Sequence, residues 1–221
     1  MDAPFELPDP RLQARLLAHV DVEEKIPRAL EQLGPVADRR VLLLGAHGDG
    51  FRARQLEVMG ARVTVAGEAT GSGEGPRTAD GPFDVAIALW PGTHLEGRPD
   101  RDAAPLSVAV LLDAERRVAR GGRLLVVEDY GRDEVAALWS DPAREARLMA
   151  WSRRDGPLLG AGFRVHVLHC WWTCPDLEQA RELLAAAFPA GAAVVATLKR
   201  PRLSHKVAVY HRAAHRAVAA A

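Results

Sequence analysis

The 221 residues, 48% of them hydrophobic and 26% charged, are enough for one globular domain with a full core. Lysine plus arginine equals aspartate plus glutamate at 29 each, so no net basic field draws in nucleic acid or an anionic membrane. Two cysteines, Cys170 and Cys174, exclude a disulfide framework and point to a reducing, cytoplasmic interior.

The first residues, MDAPFELPDPRLQARLL, carry neither a basic n-region nor an apolar h-region, so no secretory leader is expected. No apolar run reaches the roughly 18 residues of a membrane span. After an extended, proline-broken lead-in, apolar residues recur at helical spacing from Arg11 to Leu33. Asp21 and Pro27 stand where a first helix yields to a second. VLLLG (41–45) is wholly apolar, as in a parallel strand buried on both faces, and a helix follows from Gly50 to Gly60. RVTVA (62–66) is a second strand, GEATGSGEGPRTADGP a glycine-rich connection, and FDVAIAL (83–89) a third strand. PLSVAVLLDAERRVARGG then predicts an amphipathic helix ended by its glycine pair, and RLLVVE (123–128) a fourth strand.

This alternation predicts an open α/β sheet with right-handed crossovers. Further on, residues 133–152 read as helix, FRVHVLHCWW (163–172) as strand, and DLEQARELLAAAF as a helix after a Pro–Asp start. KVAVYHR (206–212) is a last short strand, entered through a proline-marked turn in ATLKRPRLSHK. Residues 1–36 are expected to pack as helices on an α/β domain of residues 37–212, with 213–221 a frayed tail.

Gly45, Gly48 and Gly50 lie between a buried strand and a helix, where glycine admits a tight turn and close approach of a ligand to backbone N–H groups. His47 caps or lines such a loop. Glu68, about 20 residues beyond the glycines, falls where a carboxylate meets both hydroxyls of a ribose. The HCWWTC stretch places His169, Cys170 and Cys174 close together, but strand alternation separates His169 from Cys170 and no second cysteine pair exists, so no metal site is expected. The basic run LKRPRLSHK, with Lys199, Arg200, Arg202, His205 and Lys206, reads as a solvated loop before the last strand, with contact to phosphate or nucleic acid as the alternative.

FDVAIALWPGTHL followed by LLDAERRVARGGRLLVVEDY resembles the class I S-adenosylmethionine-dependent methyltransferases, with the glycines, Gly60–Arg62 and Glu68 in the matching order upstream. The resemblance spans roughly residues 20 to 212. VEDYGRDEV, WSRRDGPLLGAGFRVHVLHCWW and LKRPRLSHKVAVYHR resemble a poorly characterised group of bacterial methyltransferase-like proteins. It implies a Rossmann-like, mostly parallel sheet with an antiparallel C-terminal strand and helices on both faces. It also implies S-adenosylmethionine as cofactor, held by Gly45, His47, Gly48, Gly50, Glu68, Leu89 and Trp90. His94 as general base and Tyr130 would serve catalysis, with Asp129 and Arg132 on the acceptor.

Two features depart from that pattern. Leu43 and Leu44 occupy the positions of the acid that usually precedes the first glycine, and residues 67–82 are too few for the usual intervening helix and strand. Asp80 is the acid left to replace the adenine contact. The function expected is methyl transfer to an unidentified, small-molecule acceptor; the alternative is a catalytically inactive module binding a ligand or protein. Neither nucleic acid nor a membrane is the expected partner, and a homodimer through an edge strand or the N-terminal helices stays open.

Overall fold

Four strands form the parallel half of a sheet: β1 (Arg40–Leu44), β2 (Arg62–Val65), β3 (Phe83–Leu89) and β4 (Val118–Asp129). Two strands complete it, β5 (Arg164–Thr173) and β6 (Arg202–Ala213), in the order β2-β1-β3-β4-β6-β5. The pairs β1/β2, β1/β3 and β3/β4 are parallel, while β6 runs antiparallel to both β4 and β5. This is the mostly parallel, Rossmann-like α/β sheet that the sequence predicts. The computed structural model describes residues 5, 7–44, 50–66, 82–91, 111 and 114–214.

Helix α1 (Pro10–Leu17) starts where Asp9 accepts from the Arg11 N–H at 2.8 Å, with Pro10 supplying a preset φ. Then follow α2 (Lys25–Leu33), α3 (Phe51–Val58), α4 (Pro142–Ser152), α5 (Pro157–Gly160), α6 (Leu177–Ala187) and α7 (Ala192–Ala196). One sheet face packs Val41, Leu43, Ile87, Leu125 and Val209 against Ile26 and Leu30 of α2 and Leu56 of α3. The other packs Leu42, Ala86, Val126 and Tyr210 against Leu111, Trp151 of α4 and Leu158 of α5. A third cluster, at the carboxyl end of β5, gathers Phe5, Leu16, Trp172, Leu184, Phe188 and Leu203. Each such fully buried large side chain contributes about 1.5–3 kcal/mol. Among the described residues, no helix is long and apolar enough to cross a membrane.

Three elements differ from expectation. The glycine pair does not end a helix: β4 begins at Val118, and Gly121 and Gly122 lie inside it, at a register shift against Phe83 and Val85. A Cβ on Gly122 would lie 2.5 Å from the Asp84 carbonyl oxygen, so close backbone approach requires glycine there. Residues 133–152 are not one helix. A short 3-10 turn, Ala136–Trp139, ends at Ser140 with φ +49, and α4 restarts at Pro142 because Asp141 accepts from the Ala143 and Arg144 N–H groups. The last strand is longer than residues 206–212. It starts at Arg202, directly after Pro201, and pairs along its length with β5.

Candidate functional site

Ligands of open α/β sheets bind beyond the carboxyl ends of the strands, near Leu44, Leu89 and Asp129. Gly50 occupies the N-cap of α3 with extended backbone and offers no side-chain cap. The next helical turn is anchored from below. Arg52, buried, reaches the Asp21 carboxylate at 3.8 Å and donates to Gln55 Oε1 at 2.5 Å. Asp21 in turn accepts from the Lys25 and Ile26 N–H groups at 2.9 Å each, which starts α2. Burial, then the adjacent Asp21 carboxylate, pushes the Cys170 thiol well above its ordinary range. Asp21 thus ties the N-terminal segment, α3 and β5 together.

A second buried network stands at the ends of β3 and β4. Asp129 Oδ1 accepts from the Trp90 indole N–H at 3.0 Å and from His205 Nε2 at 3.1 Å. Asp129 Oδ2 accepts from the Arg144 guanidinium, which stacks over Trp139 at 4.0 Å. The Trp172 indole N–H lies 3.1 Å from His205 Nδ1. An indole N–H only donates, so Nδ1 accepts, and the hydrogen shared with Asp129 is on Nε2. Burial pushes the Asp129 carboxyl up, but the His205 hydrogen bond, the Arg144 charge and the Trp90 N–H together hold it below its ordinary value.

Trp90 is fully buried at φ +42, a left-handed backbone that a bulky side chain adopts at a cost of about 1–3 kcal/mol. Its own N–H donates to the Val127 carbonyl at 2.7 Å. The indole therefore faces Asp129 and the core instead of an open surface. Leu89, 1% exposed, sits beside it in the same core.

Beyond β4 the chain opens into a cleft of about 360 Å³, lined by Arg132, Asp133, Ala137, Asp141, Arg144 and Glu145 among others. Arg132 is exposed and pairs with Glu145. Asp133 accepts from the Ala136 and Lys206 N–H groups, and burial pushes its carboxyl up against those bonds. Tyr130, half-buried, donates its backbone N–H to the Lys206 carbonyl at 2.9 Å and packs against the second sheet-face core.

Of the site residues expected from sequence, Gly50, Leu89, Trp90, Asp129, Tyr130 and Arg132 are placed at or near this end of the sheet. Gly45, His47, Gly48, Glu68, Asp80 and His94 lie outside the described residues. Sequence reasoning missed His205, Arg144 and Arg52. His205, expected in a solvated basic loop, is buried instead, because it alternates with Leu203 and Val207 on the inward face of β6. Arg144 shares a helix face with Leu148 and Trp151, four and seven residues on. A polar side chain on an apolar stripe is the available signal in both. Both cysteines are free and buried, and among the described residues no group of three or more His, Cys, Asp or Glu is placed to hold a metal.

No protein-family model and no curated protein sequence matches the chain. Among solved structures it is similar to a candidate type II methyltransferase from Anaeromyxobacter dehalogenans, with 19% identity and a TM-score of 0.45 over 84% of this chain and 94% of that one. It is similar to an S-adenosylmethionine-dependent methyltransferase from Mesorhizobium loti, with 18% identity and a TM-score of 0.38 over 83% and 96%. A third likeness is to the N-methyltransferase NodS from Bradyrhizobium japonicum, with 14% identity and a TM-score of 0.42 over 93% and 99%. None of these carries a residue role across to this chain.

Proposed function

We propose that the chain binds S-adenosylmethionine above β1 and β2 and transfers its methyl group to a small-molecule acceptor entering beside β4. The observation that supports this most is β6, antiparallel between the parallel β4 and β5, beside a cleft that opens directly after β4. The resemblance carried by residues 83–130 implies that sheet and that use of it. The α3 terminus suits a cofactor: Gly50 gives its first-turn N–H groups no side-chain cap. The residues to hold the cofactor are Gly45, His47, Gly48 and Gly50 by backbone, Glu68 on the ribose, and Leu89 with Trp90 through main chain and packing.

When bound, the cofactor supplies a methyl carbon activated by a sulfonium. The chain's task would be to align an acceptor lone pair with that carbon and exclude water. His94 takes the acceptor's proton, Tyr130 touches the acceptor, and Arg132 meets an anionic group on it. Asp129 has every described contact turned inward, so its part is to position Trp90 and Arg144.

One observation favours the second reading, an inactive binding module: Trp90 and Asp129, at the ends of β3 and β4, are consumed by each other and by the core. Incubation of S-adenosylmethionine with a panel of amine, hydroxyl and thiol acceptors separates the two. Acceptor-dependent formation of S-adenosylhomocysteine, lost in His94→Ala, supports the enzyme; cofactor binding without turnover across the panel supports the module.

A further inference from the structure

At the opposite, amino-terminal end of the parallel strands, four basic side chains share one face of the sheet. The register sets Arg164 of β5 opposite His211 of β6, and His211 opposite Leu125 of β4. Side chains two residues apart share a face, so Arg123 and His166 join them. Neighbouring strands are about 4.8 Å apart and residues along a strand about 3.4 Å, so Arg123, Arg164 and His166 each root within about 9 Å of His211, while Arg123 and His166 root about 16 Å apart on either side of it. Helix α2 covers this face only as far as Leu125. It ends at Gly34, where a Cβ would lie 3.0 Å from Leu125 Cδ1 and 3.3 Å from Arg123 Cβ. Beyond that point Arg123, Arg164 and His166 are exposed and His211 is half-buried.

Elsewhere in the molecule basic groups meet carboxylates: Arg52 meets Asp21, Arg144 Asp129, Arg212 Glu115 and Arg200 Glu134. The side chains of Arg123, Arg164, His166 and His211 have no hydrogen-bond or ion-pair partner among the described residues. Nor does the chain bring a carboxylate side chain on β6: from Leu183 to Ala221 there is no Asp or Glu. The groups do act on one another. Burial and then the charges of Arg123, Arg164 and His166 depress the His211 pKa below the ordinary histidine value. Among the described residues, then, this cluster meets no carboxylate.

We infer that Arg123, Arg164, His166 and His211 form an anion site for a phosphoryl group, remote from the carboxyl-end cleft and independent of the methyl-transfer reading. Two arginine forks and two imidazoles on adjacent strands match the oxygens of a diphosphate or of two successive phosphates.

The test follows the imidazole resonances of His211 and His166 by NMR as sodium pyrophosphate is added, at about pH 6.5 and constant ionic strength. Saturable shifts are expected with an apparent Kd below about 1 mM. Arg164→Glu and Arg123→Glu, at exposed positions, are expected to weaken binding at least ~tenfold with an unchanged unfolding midpoint. The resonances of His19 and His205 should stay still. A short single-stranded oligoribonucleotide at equal phosphate concentration identifies the source. Binding of pyrophosphate alone supports a free phosphorylated ligand, and binding of the oligonucleotide supports a polymer's phosphates at the same site. Absence of saturation by either at about 10 mM phosphate, equal shifts with sodium chloride, or undiminished binding in both variants overturns the inference.

Discussion

The Trp90 indole N–H donates to Asp129 Oδ1 at 3.0 Å, and this bond joins the end of β3 to the end of β4. Trp90 pays a backbone cost for its left-handed conformation, and Asp129 is held in turn by His205 and Arg144. The carboxyl end of the sheet is therefore set by a buried ionic network whose removal has a defined consequence.

Asp129→Asn leaves the buried Arg144 charge without its carboxylate, and a loss of about 3–5 kcal/mol is expected. The pH dependence has a fixed sign. The folded-state pKa of Asp129 is depressed, so its stabilisation is fully present above the ordinary carboxylate value of about 4 and is lost as pH falls below it. Asp133, whose pKa is raised, contributes in the opposite sense: its share is present at low pH and lost as pH rises through its folded-state value. Urea unfolding between about pH 3 and 7 should show a steep acid limb in the wild type and a shallower one in Asp129→Asn. Parallel limbs in the two proteins would remove Asp129 from this role.

Neither thiol should react in the folded protein. Burial and Asp21 push the Cys170 thiol up, and burial followed by the Asp176 charge does the same to Cys174. With little thiolate and little access, both should be inert to a disulfide reagent at neutral pH and both should react once urea unfolds the chain. Rapid native-state labelling of one cysteine would contradict the enclosed packing around it.

The glycines of β4 and of the turn after it make a paired test. Gly122→Ala places a Cβ 2.5 Å from both the Asp84 carbonyl oxygen and Val118 Cγ1, neither able to yield freely, and should cost about 1–3 kcal/mol or more. Gly131 has φ +69 and nothing within 4 Å of an added Cβ, so Gly131→Ala meets backbone strain alone, about 1 kcal/mol. Denaturation midpoints that rank the two in reverse would show β4 to be wrongly registered against β3.

Much of this sheet was legible in the sequence because residues 41–44 of β1 and 85–89 of β3 are short, wholly apolar runs, which a sheet buried on both faces demands. The start of β4 was not legible. A glycine pair after an amphipathic stretch carries the usual helix-stop signal, while its actual reason is the close passage of Asp84. Composition hid the first half of β6: Arg202, Ser204 and Lys206 make it polar, yet Leu203, His205 and Val207 alternate inward. The basic run therefore conceals the histidine that holds Asp129. At the candidate site, position along the chain located Trp90 and Asp129 at the strand ends, but not which way they turn. That orientation depends on Arg144 and His205, 15 and 76 residues from Asp129 in sequence, and local patterning does not encode such distant partners.

Thermal unfolding with and without S-adenosylhomocysteine tests the central claim most directly. At about 100 times its Kd a ligand of the folded state adds about 2.7 kcal/mol. For a chain of this length that is a rise of about 5–10 °C in Tm. Such a rise in the wild type, abolished by Glu68→Ala, is the expected result. An unchanged midpoint at millimolar ligand would contradict cofactor binding and, with it, methyl transfer by this chain.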